Sequence, residues 1–295
     1  MKNNYLKGVL YCFISGIVFG AQWPVASRAL HYIDPYFFTL IRYIIVGVIL
    51  SIFLFVKEGV NGFKFNLTEF IRIFYLGTLA FCAYNFLVFA GQKMAGTDGT
   101  LLASLLMALI PMVSILILWI TKKVFPGYIT LILVLISFLG VLLVISKGNF
   151  LSILNDVALL PLFLICLSVL TWSLYTLGIS DFKNWSSLKY TTLSCLFGNI
   201  SSTLVILLLL NFDLINLPNI SKLWFVKYDM LYMSVISGVV GVLMWNLGNK
   251  ILTPKNGVLF MNLVPIVAFL IEIMLGYNIT LFQVLGAIIT IIAIV

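Results

Sequence analysis

Two charged side chains, Arg42 and Glu272, stand well inside long apolar runs. A charge in hydrocarbon costs at least about 2.5 kcal/mol on insertion scales, so such a residue reads as meeting a ligand, an ion or another buried charge. Arg42 can anchor a carboxylate. Glu272 can bind a cationic group or a coupling proton, with Arg42 tuning its proton affinity if the two are close. The plainer readings are a salt bridge between two helices, or a Glu272 near enough to the interface to be solvated.

A second set is aromatic and amide-bearing. Gln22, Trp23, Tyr84, Asn85, Trp172, Tyr175, Trp245, Asn246 and Asn262 all lie away from the ends of their runs. A buried amide needs a partner, and a cavity supplies one. Rings with a few convergent polar groups suit a small amphipathic ligand, and cation–π contact would suit an ammonium. Ordinary packing is the alternative, since 15% of the chain is aromatic. Pro24, Pro111, Pro161 and Pro265 each remove a helical hydrogen bond and can bend a helix. Pro111 and Pro265 are expected to act as paired gates. Gly16 and Gly20, four apart, permit close helix contact.

Catalysis has no support: the single histidine, His31, falls in a connector, and no nucleophile–base spacing, phosphate loop or metal cluster is legible. No cofactor is expected, and without a nucleotide site any energy must come from a gradient.

The elements that carry these residues are ten apolar stretches, at Gly8–Ser27, Pro35–Val56, Ile73–Gln92, Gly99–Thr121, Val124–Ser146, Val157–Ser180, Tyr190–Phe212, Met230–Asn249, Asn256–Leu275 and Gly276–Val295. About 20 helical residues match a hydrocarbon core about 30 Å thick. The 295 residues are 63% hydrophobic and 9% charged, with a mean hydropathy of +1.19, which no water-soluble domain could cover with polar surface. The stretches lack period-2 alternation, and the helix is the other structure that satisfies every amide in lipid. The expected class is an all-α integral membrane protein. The first stretch follows Lys2 and Lys7 as a signal peptide would, but it is full-length without a clear cleavage site, so it reads as the first helix.

The net charge of +8 is scattered over short connectors, which speaks against nucleic acid and instead reports topology. With a cytoplasmic N-terminus, eleven cations fall inside, among them Lys57, Lys64, Lys122, Lys123, Lys189 and Lys250, and five outside: Arg28, Lys93, Lys147, Lys222 and Lys227. The positive-inside rule then puts both termini in the cytoplasm. Arg42 and Glu272 would sit in the outer half, about 10 Å and about 5 Å below the surface. Cys12, Cys82, Cys166 and Cys195 lie in apolar runs without CxxC spacing and read as free buried thiols.

The halves resemble each other. Met107-Ala108-Leu109-Ile110-Pro111 returns as Met261-Asn262-Leu263-Val264-Pro265, 154 residues later, and Phe19-Gly20 lies opposite Trp172-Ser173 at a shift of 153. Five spans per repeat is odd, so the second copy must enter the membrane inverted, with a boundary near Gly148–Asp156 and halves of 1–149 and 150–295. Two inverted copies can exchange conformations, and one site between them then opens to either side in turn.

At these residues the chain resembles the drug/metabolite transporter superfamily, in its ten-helix form with two EamA domains. The resemblance covers the whole chain and rests on Phe19-Gly20, Leu40-Ile41-Arg42, the Pro111 and Pro265 helices, Trp172-Ser173-Leu174-Tyr175, and Leu275-Gly276 with Gln283-Val284-Leu285-Gly286-Ala287. It implies a bacterial inner-membrane secondary carrier, often an exporter of amino acids or other small metabolites. It also implies a central cavity lined mainly by helices 1–4 and 6–9. Where relatives commonly carry a glutamate after Leu-Gly, this chain has Tyr277, and the region around Val124 has none either, so that glutamate's role does not carry over. The sequence ends inside its tenth stretch without a basic tail, as a shortened terminus would.

The expectation is therefore a monomeric exporter working by alternating access, with a small-molecule substrate, membrane lipid and a coupling proton or cation as its partners. The alternatives are an uptake carrier for a quaternary amine or other nutrient, and a structural or lipid-handling membrane protein.

Overall fold

The structure, a computed structural model, describes residues 2–123, 125, 127–148 and 159–293. Among the described residues every regular element is helical. The first half holds α1 (Lys2–Leu30), α2 (Pro35–Glu58), α3 (Leu67–Met94), α4 (Gly96–Met107 with Ile110–Lys122) and α5 (Tyr128–Ser146). The second holds α6 (Leu159–Gly178), α7 (Ser187–Asn211), α8 (Lys227–Leu252), α9 (Pro254–Met274) and α10 (Leu281–Ile292). Among the described residues seven of these helices are long and apolar enough to cross a membrane, and α4 makes an eighth if its two pieces count as one span. The expected repeat boundary, Val124, Val157 and the last two residues lie outside the described residues.

Local chemistry sets the ends. Asp34 caps α2, its Oδ1 accepting from the Tyr36 amide at 2.8 Å ahead of Pro35 in the first turn. Asn66 and Glu69 form a reciprocal capping box that starts α3 at Leu67, earlier than the apolar run beginning at Ile73. Two expectations are corrected. The fourth stretch is not one straight span: it bends by 43° at Ala108 and Leu109, just before Pro111, whose ring cannot continue the preceding turn. Nor is the tenth helical from Gly276: that glycine takes φ +88° to end α9, and the Thr280–Gln283 capping box starts α10 at Leu281.

Regular α-helix is also interrupted inside two spans. Thr78–Ala83 of α3 and Tyr232–Gly241 of α8 are wound as π-helix. They begin 154 residues apart, at the offset relating Met107 to Met261. Wide π turns often mark functional positions.

Packing follows the same pairing. Helix α1 lies against α8 and α9, and α6 lies against α3 and α4, so exchanging each helix for the one five later maps one set onto the other. Helices α2 and α7 face each other antiparallel: Tyr43 O accepts from Asn199 Nδ2 at 2.7 Å, and Leu50 O from Thr192 Oγ1 at 3.4 Å. Helices α5 and α10 do the same, with Gly140 against Gly286 and Thr290, and Gly148 against Phe282. Large apolar side chains such as Ile45, Val48, Ile52 and Phe53 are exposed on the outer face of α2, as lipid contact requires.

Polar residues gather at the two ends. At one, Ser186 donates to Glu58, Trp185 Nε1 to Glu69 Oε1 at 3.0 Å, and Lys189 Nζ to Lys64 O at 2.6 Å. At the other, Arg28 pairs with Asp229 at 2.5 Å, Lys147 with Asp98 at 2.8 Å, and Tyr277 donates to Asp98. Connectors expected on one side are thus found together. Three of the cysteines, Cys12, Cys82 and Cys195, are buried and free, but Cys166 is free on an exposed face, because the outward side of α6 is apolar rather than packed.

Candidate functional site

Arg42 is 2% exposed and held by neutral acceptors from three other helices. Its Nε donates to Met233 O at 2.7 Å, inside the π segment of α8. Its Nη2 donates to Ser237 Oγ at 3.0 Å and Gln22 Oε1 at 3.4 Å, and Nη1 reaches Asn85 Oδ1 at 3.5 Å. The guanidinium also lies over the Tyr43 ring, 4.6 Å from its centroid. The approach to α8 needs Gly238, where a Cβ would come within 2.4 Å of Val46 and 3.7 Å of the guanidinium Nε.

The other π segment does the matching job. Asn85 Nδ2 donates to Ala80 O at 2.7 Å. Ala80 and Met233 are separated by the repeat offset of 153, so each half contributes one π-turn carbonyl to the network around Arg42.

Next to this network lies a narrow, partly open cavity, with about 10 Å³ free to the centre of a water molecule. It is lined by Phe19, Gln22 and Trp23 of α1, Arg42 and Tyr43 of α2, Tyr84 of α3, Met107 of α4, Trp172 of α6, Val242 of α8, and Met261 and Val264 of α9. All are buried. Trp172 organises the aromatic wall, 4.8 Å from Tyr84, 5.5 Å from Tyr175 and 5.9 Å from Phe19 between ring centroids. Arg42 is the single charged lining residue.

Among the sequence-derived candidates, Trp23, Arg42, Tyr84 and Trp172 meet at this cavity, with Asn85 behind Arg42. Tyr175, Trp245 and Asn246 form a neighbouring network instead. There Asn246 Nδ2 donates to Tyr175 OH at 2.7 Å and Thr191 Oγ1 at 2.8 Å, and Trp245 Nε1 to Thr176 Oγ1 at 3.1 Å. Asn262 is buried with neither amide atom partnered. Pro111 and Pro265 are buried in corresponding places, Pro111 in the first turn after the α4 break and Pro265 in the first α-turn after a 3₁₀ stretch, Val258–Asn262. Glu272 stands apart from this cavity, partly buried on α9. The ion pairs among the described residues are Arg28–Asp229 and Lys147–Asp98, so Arg42 is not paired with Glu272.

The residues missed are informative. Tyr43 and Phe19 adjoin singled-out positions, whereas Ser237, Thr176 and Thr191 are small hydroxyls in apolar helices, a signal that was present in the sequence. The Met233 carbonyl left none, because a backbone acceptor has no side-chain signature.

Residues 6–146 and 159–295 each match the EamA-like transporter family. The chain is 41% identical to "Uncharacterized transporter YrdR" of Bacillus subtilis (strain 168) over 297 residues, covering all of this chain and 92% of that protein. It is 28% identical to "Uncharacterized transporter YyaM" of the same organism, over 97% of this chain and 92% of that one. A solved structure titled "Crystal structure of protein" shares the fold with a TM-score of 0.68 at 16% identity, covering 100% of this chain and 96% of the other.

Proposed function

The chain belongs to the EamA-like transporter family, and from that premise we propose that this multi-pass membrane protein is a secondary active exporter of small polar or amphipathic metabolites, amino acids among them, working by alternating access. The observation that carries the reading is the narrow cavity beside Arg42, a buried cation with no carboxylate partner among the described ion pairs, lined by helices of both halves. A lone guanidinium in a low-dielectric pocket recognises a carboxylate, and the rings beside it take an apolar body.

The repeat offset, the antiparallel α2/α7 and α5/α10 contacts and the two π segments support ten spans in two inverted halves, 1–149 and 150–295. Contacts join the halves at both ends. Arg28–Asp229 and Asp98–Tyr277 join them at one end, Glu58–Ser186 and Glu69–Trp185 at the other. Release of one set while the other holds opens the cavity to one side, with bends at Pro111 and Pro265 as gates. Asn262, next to Met261 and Pro265, reads as a binding group reached in an open state, and Tyr175, Trp245 and Asn246 as the floor. Glu272, at the edge, is the candidate for a coupling proton. The protein acts as a monomer in a bacterial inner membrane, with both termini cytoplasmic.

A quaternary amine would find rings in this lining but no carboxylate. The test is a metabolite screen by thermal shift on purified protein, followed by flux of the hits in proteoliposomes. Saturable flux supports export or uptake by a carrier. Hits that bind without crossing the bilayer overturn the transporter reading.

A further inference from the structure

Resting on that reading, we infer that the cavity selects a carboxylate without an ammonium group: a small 2-oxo or 2-hydroxy acid with a flat or branched apolar body, in preference to the corresponding amino acid.

Unpartnered donors and occupied acceptors in the lining set this preference. The lining carries polar hydrogens on Arg42, Gln22, Tyr43, Tyr84 and the indoles of Trp23 and Trp172; Arg42 already meets Met233 O, Ser237, Gln22 and Asn85, and the indole N–H groups are the unpartnered donors. The two indoles are 0% and 3% exposed, and neither N–H has an acceptor in the protein. A buried donor without a partner costs free energy, so an acceptor-rich solute gains by meeting it. Acceptors are scarce. Gln22 Oε1 already receives Ser237 Oγ at 2.7 Å and Arg42 at 3.4 Å, and the Tyr84 hydroxyl donates to Met107 Sδ at 3.5 Å.

Charge points the same way. With no aspartate or glutamate in the lining, a monoanion neutralises Arg42 and leaves the cavity without net charge. A zwitterion brings an ammonium that must be buried near a guanidinium and finds no anionic partner, a double penalty in a medium of low dielectric. A 2-oxo or 2-hydroxy group replaces that ammonium with an oxygen, which the indole N–H groups can meet. The rings of Phe19, Tyr84 and Trp172 set the shape of the apolar part.

The test compares matched trios on the full-length protein in proteoliposomes and by thermal shift: phenylpyruvate, phenylalanine and phenethylamine, then 4-methyl-2-oxopentanoate, leucine and isoamylamine. The oxo acid of each trio is expected to bind at least about tenfold more tightly than the amino acid, and the amine not to compete. Trp23→Phe and Trp172→Phe keep a ring and remove the N–H. Each is expected to weaken the oxo acid about tenfold while leaving the melting temperature of the unliganded protein near that of the parent. Equal or tighter binding of an amino acid or amine overturns the inference, as does unchanged oxo-acid affinity in both tryptophan variants, or saturable transport of other solutes with no member of either trio bound. Saturable flux of an amino acid leaves the transporter reading standing. Absence of saturable flux of any solute is the failure of that reading.

Discussion

The Nε of Arg42 donates to the main-chain oxygen of Met233 at 2.7 Å, tying the second helix to the π segment of the eighth. The repeat-related carbonyl, Ala80 O, receives Asn85, which itself reaches Arg42. The two π segments, one in each half, thus both feed the network around the buried cation, and its surroundings are neutral.

Removing it should cost stability. In Arg42→Ala, Met233 O and Asn85 Oδ1 lose a donor in a buried setting, at about 1–3 kcal/mol for each acceptor left unmet. The melting temperature in detergent should fall by several degrees, and Arg42→Lys should fall less, because an ammonium keeps the charge but not the fork of donors. A melting temperature in Arg42→Ala equal to that of the parent would show that these bonds do not hold the helices.

Tyr277 gives a pH prediction. Burial, the hydrogen bond it donates to Asp98 and that carboxylate's charge push its phenol from 10.0 up to about 12. A pKa raised on folding contributes stability that is complete below the unfolded value, near 10, and lost as pH rises through the folded value. Stability should therefore decline between pH about 10 and about 12 more steeply in the parent than in Tyr277→Phe. Parallel declines in thermal unfolding scans across that window would contradict the Tyr277–Asp98 tie.

Much of the scaffold was legible because hydrocarbon imposes it. Apolar length gave the helices, and the Met107–Pro111 and Met261–Pro265 repeat marked places where α4 and α9 both depart from straight α-helix. Single buried polar groups were legible too: Arg42, Trp23, Tyr84 and Trp172 do converge. Which of the other amides joined them was not, because α8 winds as π-helix through Gly241, and this sets which way Trp245 and Asn246 face. Asn246 consequently meets Tyr175 and Thr191 rather than Arg42. Depth along a helix likewise says nothing of which face a side chain takes, and Glu272 lies outside the cavity lining.

The orientation rests on cation asymmetry, and the structure gathers Lys64 with Lys189 at one end and Lys147 with Asp98 at the other. Single cysteines at positions 64 and 189, in a background where the native cysteines are replaced, should resist a membrane-impermeant thiol reagent in intact cells. Cysteines at 31 and 147 should react. The opposite pattern would invert the molecule.

Glu272 has no basic partner among the described ion pairs and is partly buried on α9. As a coupling carboxylate it should make transport pH-dependent, and Glu272→Gln should flatten the pH profile of flux while the protein stays folded. A stable Glu272→Gln protein with the parent's pH profile would remove it from the mechanism.

We propose that the narrow cavity beside Arg42 is the transport site. Solute counterflow in proteoliposomes, run in parallel for the parent, Arg42→Lys and Arg42→Gln, tests it most directly. Saturable flux of a carboxylated solute is expected in the parent, a loss of about tenfold or more in Arg42→Lys with folding retained, and none above background in Arg42→Gln. Flux in a folded Arg42→Gln protein equal to that of the parent would contradict it.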